Sequence, residues 1–149
     1  MPMKTNSLSS TPGLPGFMRS LRSHLGKKYP QGYIVGTLYH NEASITYFPF
    51  TPVALKQQKL KVAIVFNHGL QRFEVWLAGQ NRQVQKAYRA VFTTRDAQGY
   101  RVPSPTETGY AIVDAVLLEN PDLSDARSLM DDLERKVLSF VVAVSNMLP

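Results

Sequence analysis

The stretch Leu60-Lys-Val-Ala-Ile-Val-Phe-Asn-His-Gly-Leu-Gln-Arg-Phe-Glu-Val-Trp-Leu-Ala78 has the densest β signal in the chain. Two runs rich in Val, Ile, Phe and Trp flank Asn67-His68-Gly69. β-branched and aromatic side chains suit a pleated surface, and Asn and Gly accept the positive φ of a tight connection. The stretch therefore predicts an antiparallel hairpin.

This hairpin has the pattern of strands that lie inside a sheet. In the second arm, Phe73, Val75 and Leu77 alternate with Arg72, Glu74 and Trp76. The first arm is apolar on both faces in its middle, which is typical of a strand that is covered on both sides. We therefore expect other elements to cover at least part of both sheet faces.

Length and composition indicate one domain. A chain of 149 residues can bury a real core, and we expect a flexible, Ser/Thr/Pro-rich segment over 1–14 followed by a single domain over 15–149. The chain has no cysteine, which excludes disulfides and thiolate chemistry and agrees with a reducing compartment. It has neither a secretory signal nor an apolar run long enough to span a bilayer. We expect a cytoplasmic protein that does not bind membranes.

Three segments have the periodicity of helices. The first follows Pro15, which can open a helix, and the second follows Asn81, which can cap one. The third is a long stripe over 129–147, with Ser124 or Asp122 as its expected cap. Its far end is apolar almost all round, so we predict burial there against the sheet or in a subunit interface.

Strands at 33–39 and 44–50 complete the predicted sheet. The run 106–118 follows a capping-box pattern at 104–107 and favours a helix, although its β-branched residues leave a strand open. The fold prediction is an α+β domain. Its four-stranded antiparallel sheet of two hairpins packs with an N-terminal helix, a middle helix and a long C-terminal helix.

The net charge of +6 is distributed unevenly along the chain. Through Arg101 the chain has fourteen Lys and Arg against three acidic residues, whereas from Val102 onward it has three against eight. Mutual attraction within a monomer or across a dimer would explain this, and so would a basic surface for a polyanion. We favour the first explanation because charge sign identifies partners only weakly.

The sequence lacks the phosphate-binding, zinc-protease and hydrolase motifs, so it assigns no catalytic residue, cofactor or metal. One candidate cluster depends on geometry. If the strands form a meander, both turns lie at one end of the sheet and bring together His40, Asn41, Glu42, Asn67 and His68. Imidazoles and a carboxylate can bind a metal or act as an acid–base pair. Turns are also polar for backbone reasons, and we favour that structural explanation.

A second candidate is the sheet face opposite Phe73. We expect it to carry Tyr33, Tyr39, Phe48, Phe50 and Trp76, with Thr46 and Glu74 among them. Such a face could stack bases or bind an apolar ligand, with Glu74 and Trp76 as ligand residues. The alternative is a second core under the C-terminal helix. We favour this alternative because buried aromatic residues usually serve packing.

Basic helix faces provide a third candidate, a nucleic-acid surface. Its residues would be Arg19, Arg22, Lys27, Lys28, Arg82, Lys86 and Arg89. Helix faces of this kind are more often solvated surface than phosphate contacts, so we favour the solvated explanation. A nucleic-acid site would require both groups to form one stripe and binding to weaken steeply with salt.

Several segments together resemble a family of small bacterial proteins of unknown function. They are Gly36-Thr-Leu-Tyr39, Thr46-Tyr-Phe48, Leu60-Lys-Val-Ala-Ile-Val-Phe66, Arg72-Phe-Glu-Val-Trp-Leu-Ala-Gly-Gln-Asn81 and Asn120-Pro-Asp122. The resemblance implies no activity, ligand or catalytic residue. We therefore expect a non-catalytic binding or interaction module that self-associates through its C-terminal helix. An enzyme or metal protein that uses the turn cluster, and a nucleic-acid-binding protein, remain the alternatives.

Overall fold

The computed structural model describes residues 13–41, 44–95, 100–103 and 111–149. Its elements in chain order are α1 (Leu14–Lys28), β1 (Tyr33–Val35), β2 (Tyr39–Asn41), β3 (Ile45–Pro52), α2 (Val53–Gln57), β4 (Leu60–Asn67), β5 (Arg72–Gly79), α3 (Arg82–Arg95), β6 (Ala111–Glu119) and α4 (Ala126–Met147). The α+β class and the long C-terminal helix are confirmed.

The strands form one antiparallel sheet in the order β1-β3-β4-β5-β6, and β2 pairs with β3 beside β1. The predicted central hairpin is confirmed, because β4 and β5 pair in register from Leu60 opposite Gly79 to Asn67 opposite Arg72. The Asn67 side chain closes the turn by accepting a hydrogen bond from the backbone N–H of Leu70 at 3.0 Å.

The prediction of four strands is wrong, since the described residues contain six. The expected strand at 33–39 is divided into β1 and β2, which pair with opposite ends of β3. Pro49 lies between the two pairings and has no N–H to donate to a ladder. Its ring leaves no room for a side chain at Gly36, where a Cβ would lie 2.7 Å from Pro49 Cγ.

The favoured helix at 106–118 is also wrong, because Ala111–Glu119 is the sheet strand β6. Its β-branched residues suit the free edge of β5, where Leu77 pairs with Val113 and Phe73 with Leu118. Register shifts leave Ile112 and Leu117 without a paired residue on β5, and both side chains lie in the buried cluster. The capping-box residues 104–107 lie outside the described residues.

One hydrophobic core lies between the helices and a single face of the sheet. Buried residues of all four helices contribute to it, including Phe17, Leu55, Phe92 and Phe140, together with Phe73 and its neighbours on the strands. At the far end of α4, Phe140, Val141 and Val144 are buried in this core, whereas Val142 is 59% exposed, so the predicted burial holds for one side of the helix. All four described helices therefore contribute to the core on the same side.

The helix ends refine two predictions. Asn81 caps α3, because its side chain accepts from the Val84 N–H at 3.0 Å. The cap of α4 is Asp125, which accepts from the Ser128 N–H, so the expectation of Ser124 or Asp122 is wrong. At the other end of the chain α1 already begins at Leu14, and residues 1–12 of the predicted flexible segment lie outside the described residues.

Gly79 gives a first test of this packing. A Cβ there would lie 2.6 Å from the Gln85 backbone nitrogen and 3.1 Å from the Asn81 carbonyl oxygen, so the first turn of α3 would have to move. We expect Gly79→Ala to lower the free energy of unfolding by about 1–3 kcal/mol, the usual cost of overpacking. Urea unfolding measures this, with Gly32→Ala as the control because no atom lies within 4 Å of its added Cβ. Equal losses in both variants would contradict the tight contact.

Candidate functional site

The face of the sheet away from the helices is the first candidate site, and we call it the open face. Strand register places on it the aromatic and apolar residues Tyr39, Ile45, Tyr47, Pro49, Ala63, Val65, Trp76, Ala78 and Val116 and the polar residues Lys61, Asn67, Arg72, Glu74, Asp114 and Glu119. Tyr39 is 48% exposed and Val116 46%. The Tyr39 and Tyr47 rings stack with their centroids 5.3 Å apart. The open face thus carries aromatic and apolar side chains together with charged ones. Part of it contacts solvent, whereas Ile45 and Val65 are buried.

A buried carboxylate organises the middle of the open face. Glu74 is 5% exposed, and Trp76 Nε1 donates to its Oε1 at 2.7 Å. Its Oε2 accepts from Arg72 Nε at 2.7 Å and from Asn67 Nδ2 at 3.3 Å. Both carboxylate oxygens therefore have partners within the chain, and these bonds fix the indole of Trp76 and the side chain of Arg72.

A second ion pair lies next to it on β6. Asp114 accepts two hydrogen bonds from Arg101, from Nε at 3.1 Å and from a terminal nitrogen at 2.8 Å. The backbones of the same two residues also form a β-bridge. Burial raises the pKa of Asp114, and the contacts with Arg101 offset part of that increase. Arg101 thus adds one bridged residue at the edge of β6. Its guanidinium also balances the charge of the largely buried Asp114 carboxylate.

The predicted turn cluster contains a histidine relay, formed by His40, Thr46 and His68. The hydroxyl of Thr46 lies 2.9 Å from Nδ1 of His40 and 2.8 Å from Nε2 of His68. Because a hydroxyl has one proton, it donates to one neutral imidazole and accepts from the other. Burial lowers the pKa of His68, and nearby His40 acts in the same direction. His68 is thereby favoured in its neutral form.

The relay offers little surface for chemistry. Thr46 is fully buried and His68 is 6% exposed, so His40 is the relay member that contacts solvent. The Nδ1 of His68 is buried and has no hydrogen-bond partner within the described part of the chain. Asn67 bonds to Glu74 instead of joining the relay. Glu42 lies outside the described residues.

The predicted aromatic face is only partly assembled. Tyr39, Glu74 and Trp76 do share the open face, whereas Tyr33, Thr46, Phe48 and Phe50 lie on the helical face. Tyr33 stacks on Phe50 there with centroids 4.1 Å apart. The register of β3 explains the error, because Phe48 pairs with Ile64 and not with Ala63. The expected cover is also on the other side, since α4 contributes to the core with Phe73.

The seven basic candidates are divided between α1 and α3, both of which contact α4. Lys28 pairs with Glu134 at 2.7 Å, and Arg22 donates to the Gly36 carbonyl oxygen at 2.5 Å. On α3, the residues Arg82, Lys86 and Arg89 line a groove of about 420 Å³. Arg19 and Lys27 are exposed on α1. Lys28 and Arg22 therefore already have partners within the chain.

Sequence reasoning missed Tyr47, Arg101, Asp114 and Val116 as members of the open face. The alternation of Tyr47 with Phe48 was a usable signal, but the register was unknown. Asp114 and Val116 were hidden by the helix assignment of 106–118. Nothing in the sequence indicates that Arg101 would reach Asp114, because residues 96–99 and 104–110 separate it from both neighbouring elements.

Two searches of the described residues are negative. They contain no group of three or more His, Asp or Glu side chains placed to bind a metal ion. No helix among them combines the length and the apolar character needed to cross a bilayer.

Comparison with known protein families gives a match over most of the chain. A model of the family described as Domain of unknown function (DUF7000) matches residues 9–148. The comparison with curated proteins gives no significant match, and the comparison with solved structures gives none either. The resemblance to a family of unknown function is confirmed by this match.

Proposed function

The chain belongs to the DUF7000 family, and from that premise we propose that it is a non-catalytic binding module whose binding surface is the open face. The observation that carries this proposal is the exposure of Tyr39 and Val116, which are 48% and 46% accessible on a sheet face that also carries Trp76 and Tyr47. Tyr39 and Val116 end one row of paired residues that crosses the sheet through Tyr47, Val65 and Glu74. Exposed apolar side chains on a sheet face can mark an interaction site.

The pattern of the strands supports the proposal. An antiparallel sheet with one solvated face normally has polar residues on that face. Here the outward positions of the inner strands include the partly exposed Tyr47, Ala63 and Trp76, and no described helix contributes to a cluster on that side. Tyr and Trp are also the residues that interfaces favour, since they combine a large apolar surface with a polar group.

The polar groups of the open face support binding over catalysis. A general acid or base must be able to exchange a proton with a substrate. Glu74 already accepts from Trp76 and Arg72, and Asp114 accepts twice from Arg101. These carboxylates stabilise the face itself. A cytoplasmic location is part of the proposal and rests on the lack of cysteine.

Trp76 allows a direct test, because it is the only Trp in the chain. We expect acrylamide to quench its fluorescence in the dilute folded protein. The apolar dye 1-anilinonaphthalene-8-sulfonate should bind the folded protein and accept excitation energy from Trp76, and comparison of two variants locates the dye. Val116→Lys should reduce that energy transfer several-fold, whereas Val142→Lys should leave it unchanged, since Val142 is 59% exposed on α4.

The proposal fails if Trp76 is shielded from acrylamide at every dilution and Val116→Lys has no effect on the dye. Circular dichroism of both variants checks that the substitutions leave the fold intact. Val142 is a matched control because it is also an exposed valine, on an element that packs on the opposite side of the sheet.

A further inference from the structure

We infer that the occupant of the open face is a second copy of this chain, so that two sheets pack face to face around a two-fold axis. This inference rests on the proposed function, since it names the partner of the same surface. Face-to-face packing of antiparallel sheets about 10 Å apart is a common arrangement in proteins. A closed two-fold contact uses the same patch on both subunits and so needs no other partner.

The size of the open face fits such a dimer. Five strand positions lie side by side, with β1 and β2 sharing one of them. At about 4.8 Å between strands and about 3.3 Å per residue, the sheet measures about 24 Å by about 26 Å, or about 600 Å². Two copies would bury about 1,200 Å², which reaches the lower end of the range for specific protein interfaces.

The charge of the open face selects a second copy over a polyanion. The chain as a whole has a net charge of +6, so two copies repel each other over most of their surface. The open face, by comparison, carries equal numbers of positive and negative side chains. Its described residues include the cations Lys61, Arg72 and Arg101 and the anions Glu74, Asp114 and Glu119. Two basic chains can approach there without the repulsion found elsewhere.

The same balance argues against nucleic acid as the occupant. Binding to a phosphate backbone requires a surplus of Lys and Arg, and two of the three cations are already paired, Arg72 with Glu74 and Arg101 with Asp114. Self-association through the C-terminal helix α4, which the sequence predicts, is also less suitable than packing through the open face. The apolar stripe of α4 is buried in its own core, and Val142 is its one large apolar side chain that is strongly exposed among the described residues.

Sedimentation equilibrium over a wide concentration range tests the inference with the full chain. We expect the apparent mass to rise from the 16.7 kDa of the monomer to twice that value. Because an unpaired charge in an interface is costly, Val116→Lys should raise the dimer dissociation constant about 100-fold. Tyr39→Glu should have a similar effect, and Val142→Lys should have none. The Trp76 emission should shift to the blue as the wild-type chain associates.

Each contrary result is decisive. A monomer at every concentration overturns the dimer, and the proposed function survives if acrylamide still reaches Trp76 and the dye still binds. Association that Val142→Lys disrupts, and that Val116→Lys and Tyr39→Glu leave intact, overturns it in favour of an interface on α4. Tyr39→Glu keeps the test valid if Val116→Lys does not fold, because Tyr39 lies on a different strand.

Discussion

Replacing Phe73 with alanine is expected to lower the free energy of unfolding by about 3–5 kcal/mol, the range for a phenylalanine deleted from a packed core. The Phe73 side chain is fully buried. Its ring contacts Phe17 of α1 with centroids 5.8 Å apart and Phe66 of β4 with centroids 4.9 Å apart. The cavity would therefore open where the first helix meets the turn end of the central hairpin. Urea unfolding monitored by circular dichroism measures the loss.

Trp76→Ala on the same strand is the matched comparison. Trp76 has the larger side chain but is only partly buried on the open face, so we expect a loss of about 1–2 kcal/mol from its burial and its hydrogen bond to Glu74. The measurement belongs at a concentration where the chain is monomeric. A loss for Trp76→Ala that equals or exceeds that for Phe73→Ala would contradict the assignment of the two sheet faces.

The central hairpin was predictable because its information is local. Alternation of Phe73 and Val75 with Glu74 and Trp76 defines the two faces of β5, and Asn67 supplies the turn. The helices were predictable for the same reason, since spacing alone defines an apolar stripe. Each of these elements is specified by residues that are close together in the sequence.

The composition of the open face was not predictable, because it depends on register between distant segments. A shift of one residue moves every side chain of a strand to the opposite face. The connection through α2 sets Phe48 opposite Ile64, and no local pattern encodes that choice. The strand β6 was not predictable for a similar reason. Its apolar run also fits a helix, and only the pairing with the free edge of β5 decides for a strand.

A different long-range contact joins α1 to α4 around Glu134. This carboxylate is 6% exposed. It accepts from Tyr29 OH at 2.5 Å, lies 2.8 Å from His24 Nε2 and pairs with Lys28 Nζ at 2.7 Å. Burial alone would raise the pKa of Glu134, but these three contacts outweigh it and lower the pKa to about 2.

The contacts of Glu134 predict that the free energy of unfolding decreases strongly as the pH falls. A carboxyl group whose pKa falls on folding stabilises the native state above its unfolded pKa, and that contribution is lost as the pH falls through the folded pKa. The pKa of Glu134 falls from 4.5 to about 2, which corresponds to about 3 kcal/mol. We expect the wild-type chain to lose this stability between about pH 4.5 and about pH 2. Urea unfolding at a series of pH values measures it.

Glu134→Gln isolates the contribution from that of the other carboxyl groups. The variant should be less stable than the wild type by about 3 kcal/mol at pH 7, and the difference between the two curves should disappear by about pH 2. Asp132→Asn on the same helix is the control. Asp132 pairs with Arg135 at the surface, where the two side chains are 41% and 67% exposed, so its loss should cost about 1 kcal/mol or less. A constant difference between wild type and Glu134→Gln across this pH range would show that the carboxylate of Glu134 does not join the two helices.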